Sequence, residues 1–282
     1  MSASQAGIWS GPVGDSWVRN AAAYDRALEP LGRAALDLLE LGPHQRVLDV
    51  GCGTGTTTLE IARRVHPGGS VVGVDVSRPM IEYARARISG ETEGENVEFA
   101  VLDVEKDDLP GPFDAAFSRL GVMFFDHPTV AFANIASSLK ARSRFAFVCF
   151  KTPSENPFIS IPVEAALAEL NGPGMPPRGA AGPFSLADPD MVRGLLESAG
   201  FESVVISSGP DEVTLGPASE LDDLARQAVE QNPVVMPLLI SNAHAREAAV
   251  EAAATALRDH VHTGDVRLGA GTWLVEARVA DR

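Results

Sequence analysis

The chain has 282 residues, 45% hydrophobic and 22% charged, which is the balance of a globular protein with one sizeable core. Twenty-three basic side chains against 38 acidic ones leave a formal charge of −15, so the chain lacks the basic footprint that nucleic-acid phosphates or anionic membrane surfaces require. No apolar run reaches the roughly 18 residues of a membrane span, and the first residues show neither the basic start nor the apolar core of a secretory signal.

Residues 15–41 read as two helical pieces interrupted at Pro30, with Leu31, Ala34, Ala35, Leu38 and Leu39 at helical spacing and Gly42–Pro43 closing the segment. From there strands and helices alternate. Residues 46–50 are an apolar strand, and a helix follows over about 56–65. Residues 70–76 are a second strand, and Ser77 is placed to cap the next helix with Pro79 in its first turn. Residues 97–102 and 113–118 are further strands, and a helix over about 128–140 leads to a fifth at 144–150. Strands separated by helices imply right-handed crossovers and a parallel sheet, and their nearly continuous apolar character fits a sheet covered on both faces.

Beyond Lys151 the pattern changes. Residues 171–184 are too rich in Pro and Gly for regular structure, and Asp188-Pro189 opens a helix to about Ala199. Phe201 starts a sixth strand. Two helices separated by Pro233 and Pro237 are expected within 219–262, and a last strand over about 266–279 carries Trp273, Val275, Ala277 and Val279 at period two. The helical pair is an insert between the last two strands, placed to act as a lid. Cys52 and Cys149 suggest no disulfide framework, so a cytoplasmic setting is expected, and the isolated His260-x-His262 pair reads as a polar helix end, with no metal site expected.

The sharpest feature is Val47-Leu48-Asp49-Val50-Gly51-Cys52-Gly53-Thr54-Gly55, where the first strand ends and a helix opens. Open α/β sheets bind ligands beyond the C-terminal strand ends, glycines let the backbone approach a ligand, and helix N–H groups receive anions. With its acid two residues before G-x-G-x-G, this string resembles the first motif of the class I S-adenosylmethionine-dependent methyltransferases. Asp75 in GVDVS and Asp103 in VLDVE end the second and third strands and fit the same family.

The resemblance implies a Rossmann-like, mostly parallel seven-stranded sheet with helices on both faces, an antiparallel last strand and a helical cap. It implies one methyltransferase domain over 1–282, with a core at about 43–153, 188–215 and 264–282 and a cap or lid at about 1–41, 154–187 and 219–262. S-adenosylmethionine is the implied cofactor. Its implied contacts are Asp49, Gly51, Cys52, Gly53 and Thr56 at the first strand, Asp75 with the ribose, Val76 and Met80 against the adenine, Asp103 and Val104 at the adenine amino group, and Ser118 beside the methionine part. Trp17 is expected to fold over the cofactor from an N-terminal helix. Lys140-Ala141-Arg142-Ser143 stands where many relatives have a Pro-Gly-Gly turn, a departure away from the cofactor.

The layout looks like ubiquinone/menaquinone-biosynthesis-like and natural-product methyltransferases. The acceptor is expected to be a small, partly apolar metabolite methylated at O, N or C, near Arg119, Met123, Phe124, Phe125 and Asn156, by a monomer or homodimer. Two thiols are too few for arsenite methylation. His127 and then Tyr24 are the candidate general bases, but Asp126-His127-Pro128 reads equally as a helix start, and transfer by proximity is the preferred mechanism. A cofactor-binding regulator or partner subunit without transfer, and less so a nicotinamide-dependent dehydrogenase, are the competing readings.

Overall fold

The computed structural model describes residues 5–89, 95–174 and 181–281; residues 175–180 of the expected Pro/Gly-rich loop lie outside the described residues. The chain opens with α1 (Gln5–Trp9), α2 (Pro12–Arg19) and α3 (Ala21–Asp37). The expected break at Pro30 does not occur, because α3 continues through it. A proline inside a helix forfeits one hydrogen bond and crowds the preceding turn, but Leu28, Leu31, Ala35 and Leu36 of this helix are all buried in the main core, and that packing outweighs the local cost.

The central sheet is built from β1 (Arg46–Val50), β2 (Ser70–Asp75), β3 (Val97–Val101), β4 (Phe113–Arg119), β5 (Leu139–Phe150), β6 (Phe201–Ser208) and, last in the chain, the strand Thr272–Val279. Between them come α4 (Thr56–Val65), α5 (Arg78–Ile88), α6 (Pro128–Ser138), α7 (Pro157–Glu169) and α8 (Pro189–Ser198). The order across the sheet is β3-β2-β1-β4-β5, then Thr272–Val279, then β6. β3 to β5 are parallel, while Thr272–Val279 runs antiparallel to both β5 and β6.

Every residue of β5 from Phe145 to Phe150 is buried, as a strand with both faces covered requires. Phe132 of α6 stacks on Phe147 and tilts against Phe145, while α3 also packs on this strand. Sequence order reverses between β1 and β4, so the crevice for a ligand lies at their C-terminal ends.

The region expected as two helices and one long strand is more divided. β7 (Glu212–Pro217), α9 (Leu221–Glu230), α10 (Val235–Ser241), α11 (Arg246–Arg258), β8 (Val261–His262) and β9 (Asp265–Gly269) precede β10 (Thr272–Val279). β7, β9 and β8 form a separate three-stranded sheet. The expected strand over 266–279 therefore splits at Ala270–Gly271, where Ala270 N–H donates to Asp211 O and Gly271 N–H to Glu155 O. α7 and α9 pack on this small sheet, and α11 packs on both helices, around a second apolar cluster that includes Val163, Leu224, Val229, Ala253 and Leu257. Two hydrophobic clusters thus lie side by side, and the crevice opens between them. Among the described residues no helix is long and apolar enough to cross a membrane.

Candidate functional site

The turn after β1 carries the chain out of the sheet and into α4. Gly51 has φ +67°, and a Cβ there would lie 2.9 Å from Gly121 Cα, so the β1 and β4 ends approach backbone to backbone. Gly55 has φ +85°, and a Cβ on it would sit 2.6 Å from the Phe99 ring and 3.0 Å from Ala84. The left-handed backbone and the close neighbours both demand glycine. Gly51 and Cys52 N–H groups bond to Val74 O and fix the turn against β2.

Asp75 ends β2 and completes the turn. Its Oδ2 accepts the Gly53 N–H at 2.9 Å and its Oδ1 the Ser77 N–H at 2.8 Å. Burial raises its pKa, and backbone bonds from Ser77, Gly53 and Val76 oppose that shift. Asp49 is 1% exposed; Oδ2 accepts the Thr58 hydroxyl at 2.6 Å, while Oδ1 is buried with no partner in the protein. Burial pushes this carboxyl up to about 6, against the pull of Thr58 and Arg119. Asp103, beyond β3, receives Glu105 N–H at 3.0 Å and Lys106 Nζ at 2.5 Å.

These groups line one cavity of about 270 Å³. Of the residues expected at the cofactor, Trp17, Asp49, Gly51, Cys52, Gly53, Asp75, Val76, Met80, Asp103 and Val104 lie in its wall. Thr56 and Ser118 do not. The Thr56 hydroxyl is turned toward Asp25, donating to Oδ2 at 2.5 Å and accepting from Arg87, and Thr54 and Thr57 line the space instead. Ser118 is fully buried beneath the turn and donates to Val50 O at 2.7 Å. Ser77 stands at the N-cap of α5 as expected, but its hydroxyl makes no capping bond and donates instead to Trp9 O at 2.7 Å, which fastens the N-terminal segment beside the turn.

On the acceptor side, Arg119, Met123, Phe124 and Phe125 line the cavity as expected. Asn156 does not; it is fully buried and ties Thr152 O to Gly271 O. His127 is exposed at the start of α6, outside the wall, with its N–H donated to Glu105 Oε2 at 3.0 Å. Tyr24 does line it, packed on Trp17 with ring centroids 4.3 Å apart. Burial, and then Glu230, push its phenol well above the ordinary value, so at neutral pH it is an O–H donor and not a base.

Sequence reasoning missed Asp25, whose Oδ1 meets Arg119 at 2.7 Å while its Oδ2 holds Thr56. It also missed Gln227 and Gln231 on the cap wall. An acid beside Tyr24 in the apolar stretch Ala21–Leu28 was the available signal for Asp25.

The wall offers the partners that S-adenosylmethionine requires. Its ammonium group needs an anionic acceptor, and Asp49 Oδ1 is a buried acceptor without a donor. A ribose diol needs a carboxylate, and Asp75 supplies one with lone-pair capacity left beyond its backbone bonds. An adenine needs apolar faces, which Val76, Met80 and Leu102 supply in the same cavity. The donor set fits.

Residues 47–142 match the sequence family described as a methyltransferase domain. That match covers 96 of the 282 residues, and over them the chain is similar to a methyltransferase domain. Within that domain lie the glycine turn, Asp75 and Asp103. The chain is 34% identical over 134 residues to a malonyl-[acyl-carrier protein] O-methyltransferase of Acetivibrio thermocellus, covering 47% of this chain and 46% of that one. It is 32% identical over 140 residues to the aklanonic acid methyltransferase DauC of a Streptomyces species, covering 48% and 63%.

The matched part thus spans about half to under two thirds of these relatives. In solved structures the fold recurs in the YcgJ protein of Bacillus subtilis, with TM-score 0.58, 19% identity and coverage of 90% and 99%. It recurs also in the [4+2]-cyclase SpnF, with TM-score 0.57, 18% identity and coverage of 100% and 98%. The fold alone therefore does not specify methyl transfer.

Proposed function

We propose that the chain is a methyltransferase that moves the methyl group of S-adenosylmethionine to O, N or C of a small-molecule metabolite in the cytoplasm, as a monomer or homodimer. The observation that carries this reading is Asp49 Oδ1, a buried carboxylate oxygen without a donor, at the mouth of the glycine turn and in the same cavity as Asp75 and Asp103. When bound, S-adenosylmethionine supplies a sulfonium-activated methyl group. The protein's own part is to orient and to exclude water. Asp49, Asp75 and Asp103 receive donors, the Asp25–Arg119 pair holds α3 at the β4 end, and Trp9, Trp17 and Phe124 close the space from above.

Placing two reactants in register can contribute about 7–11 kcal/mol in favourable cases. Since His127 is exposed outside the cavity and Tyr24 keeps its proton, the mechanism rests on proximity. His127→Ala is expected to change turnover by less than about tenfold, against the 10²–10⁴ lost with a true general base. A hundredfold loss with unchanged cofactor affinity would make His127 the base.

The cap acts as the lid, since α7 and α9 line the same cavity as the glycine turn. Amide exchange in α9 should slow when the demethylated product S-adenosylhomocysteine binds, with exchange unchanged at the remote α8. The proposed function is tested by incubating the protein with methyl-labelled S-adenosylmethionine and a metabolite extract. Label transfer supports an enzyme. Tight binding without transfer supports a cofactor-binding regulator, and NAD binding in its place a dehydrogenase.

A further inference from the structure

Charge and hydrogen-bonding groups are unevenly divided around the cavity. Its wall holds six carboxylates, Asp25, Asp49, Asp75, Asp103, Glu105 and Asp126, against two cations, Lys106 and Arg119. Both cations are already engaged: Lys106 with Asp103 at 2.5 Å and Arg119 with Asp25 at 2.7 Å. No described residue of the wall offers a free positive charge to an anionic acceptor.

The cap side differs in kind. α7, β7 and α9 contribute Phe158, Ile159, Val163, Leu215, Leu224 and Gln227, with no ionisable group among them. Facing them, Trp9, Trp17, Tyr24 and Phe124 form a continuous aromatic cluster, with successive ring centroids 4.3–5.8 Å apart. In this apolar surround three polar atoms are buried without a protein partner: Gln5 Oε1, Gln231 Oε1 and Trp17 Nε1, each on a residue of the wall. Buried polar atoms are paired in native structures far more often than not, so each marks a place for a ligand group. The two amide oxygens need donors and the indole N–H needs an acceptor.

We infer that the methyl acceptor is an uncharged, ring-bearing small molecule with at least one hydroxyl, and that Gln231 reads that hydroxyl; this rests on the methyltransferase reading above. A carboxylate or phosphate would face an apolar, net-acidic wall with no free protein cation to pair with, which is unfavourable. A neutral ring instead buries its faces on Trp17 and Phe124, and its hydroxyl gives Gln231 Oε1 the donor it lacks.

The test compares two probes of equal shape on the protein saturated with S-adenosylhomocysteine: 2-naphthol, neutral at pH 7, and 2-naphthoate, an anion. Binding is read by calorimetry and by quenching of tryptophan fluorescence. The naphthol is expected to bind at least tenfold more tightly. Equal affinity, tighter naphthoate, or binding of neither overturns the inference while S-adenosylhomocysteine binding leaves the methyltransferase reading intact. Failure of S-adenosylhomocysteine itself to bind overturns both. Gln231→Leu should weaken 2-naphthol about tenfold, the loss of one buried hydrogen bond, with S-adenosylhomocysteine affinity unchanged; undiminished naphthol binding removes Gln231 from the role.

Discussion

Replacing Asp49 by asparagine is expected to make the protein more stable and a worse cofactor binder. Asp49 is almost wholly buried, with one oxygen bonded to Thr58 and the other unpaired. Burial holds its carboxyl at about 6 in the folded chain against an ordinary value of 3.8. The folded state therefore keeps this proton more tightly than the unfolded state does. Stability falls as pH rises from about 4 to about 6, and above that window the ionised carboxylate costs on the order of 2–3 kcal/mol.

An amide of the same shape avoids that cost. Urea unfolding at pH 7.5 should show Asp49→Asn more stable than the parent, with the difference vanishing below about pH 4. S-adenosylhomocysteine should bind it at least tenfold more weakly, because the anionic partner of its ammonium group is gone. A variant less stable than the parent at pH 7.5 would show that the carboxylate is held by a compensating partner.

That opposition between stability and binding also explains what was legible in the sequence. Asp49, Gly51, Gly53 and Asp75 are linked by local rules: a strand end, a turn that requires positive φ, and a second strand end bonded to the first through Gly53 N–H. Each such feature is written within a few residues of its own strand end. Thr56 shows where this fails. It stands in the same stretch, but its hydroxyl is diverted by Asp25, 31 positions away, and nothing local announces that contact.

Pro30 and the strand over 266–279 fail for the same reason. The first is overridden by the burial of α3, and the second is cut at Ala270–Gly271 by bonds to Asp211 and Glu155. The acceptor wall was least legible of all. Gln231 reaches the cavity only through the packing of α9 on α7, and the family match ends at residue 142, before either helix begins.

Loss of the Asp75 carboxylate is expected to weaken S-adenosylhomocysteine by about 1.5–3 kcal/mol, roughly tenfold to more than a hundredfold, the range for hydrogen bonds to a charged group. Two consequences of Asp75→Ala must be separated. The carboxylate binds ligand hydroxyls, and it also holds the Gly53 and Ser77 N–H groups. Asp75→Asn removes the charge, keeps one acceptor oxygen for a backbone N–H and sets its amide NH2 group against the other, so its urea midpoint should fall between those of the parent and Asp75→Ala. If the carboxylate acts on the ligand, Asp75→Asn loses most of the affinity that Asp75→Ala loses although its turn is less disturbed. If the carboxylate matters only for the shape of the turn, affinity falls in step with the urea midpoint and asparagine is intermediate in both. Calorimetry with NAD supplies the remaining control. An acid at the end of a second strand also suits a dinucleotide ribose, so NAD binding by the parent, lost with Asp75→Ala and unaccompanied by S-adenosylhomocysteine binding, would overturn the methyltransferase assignment.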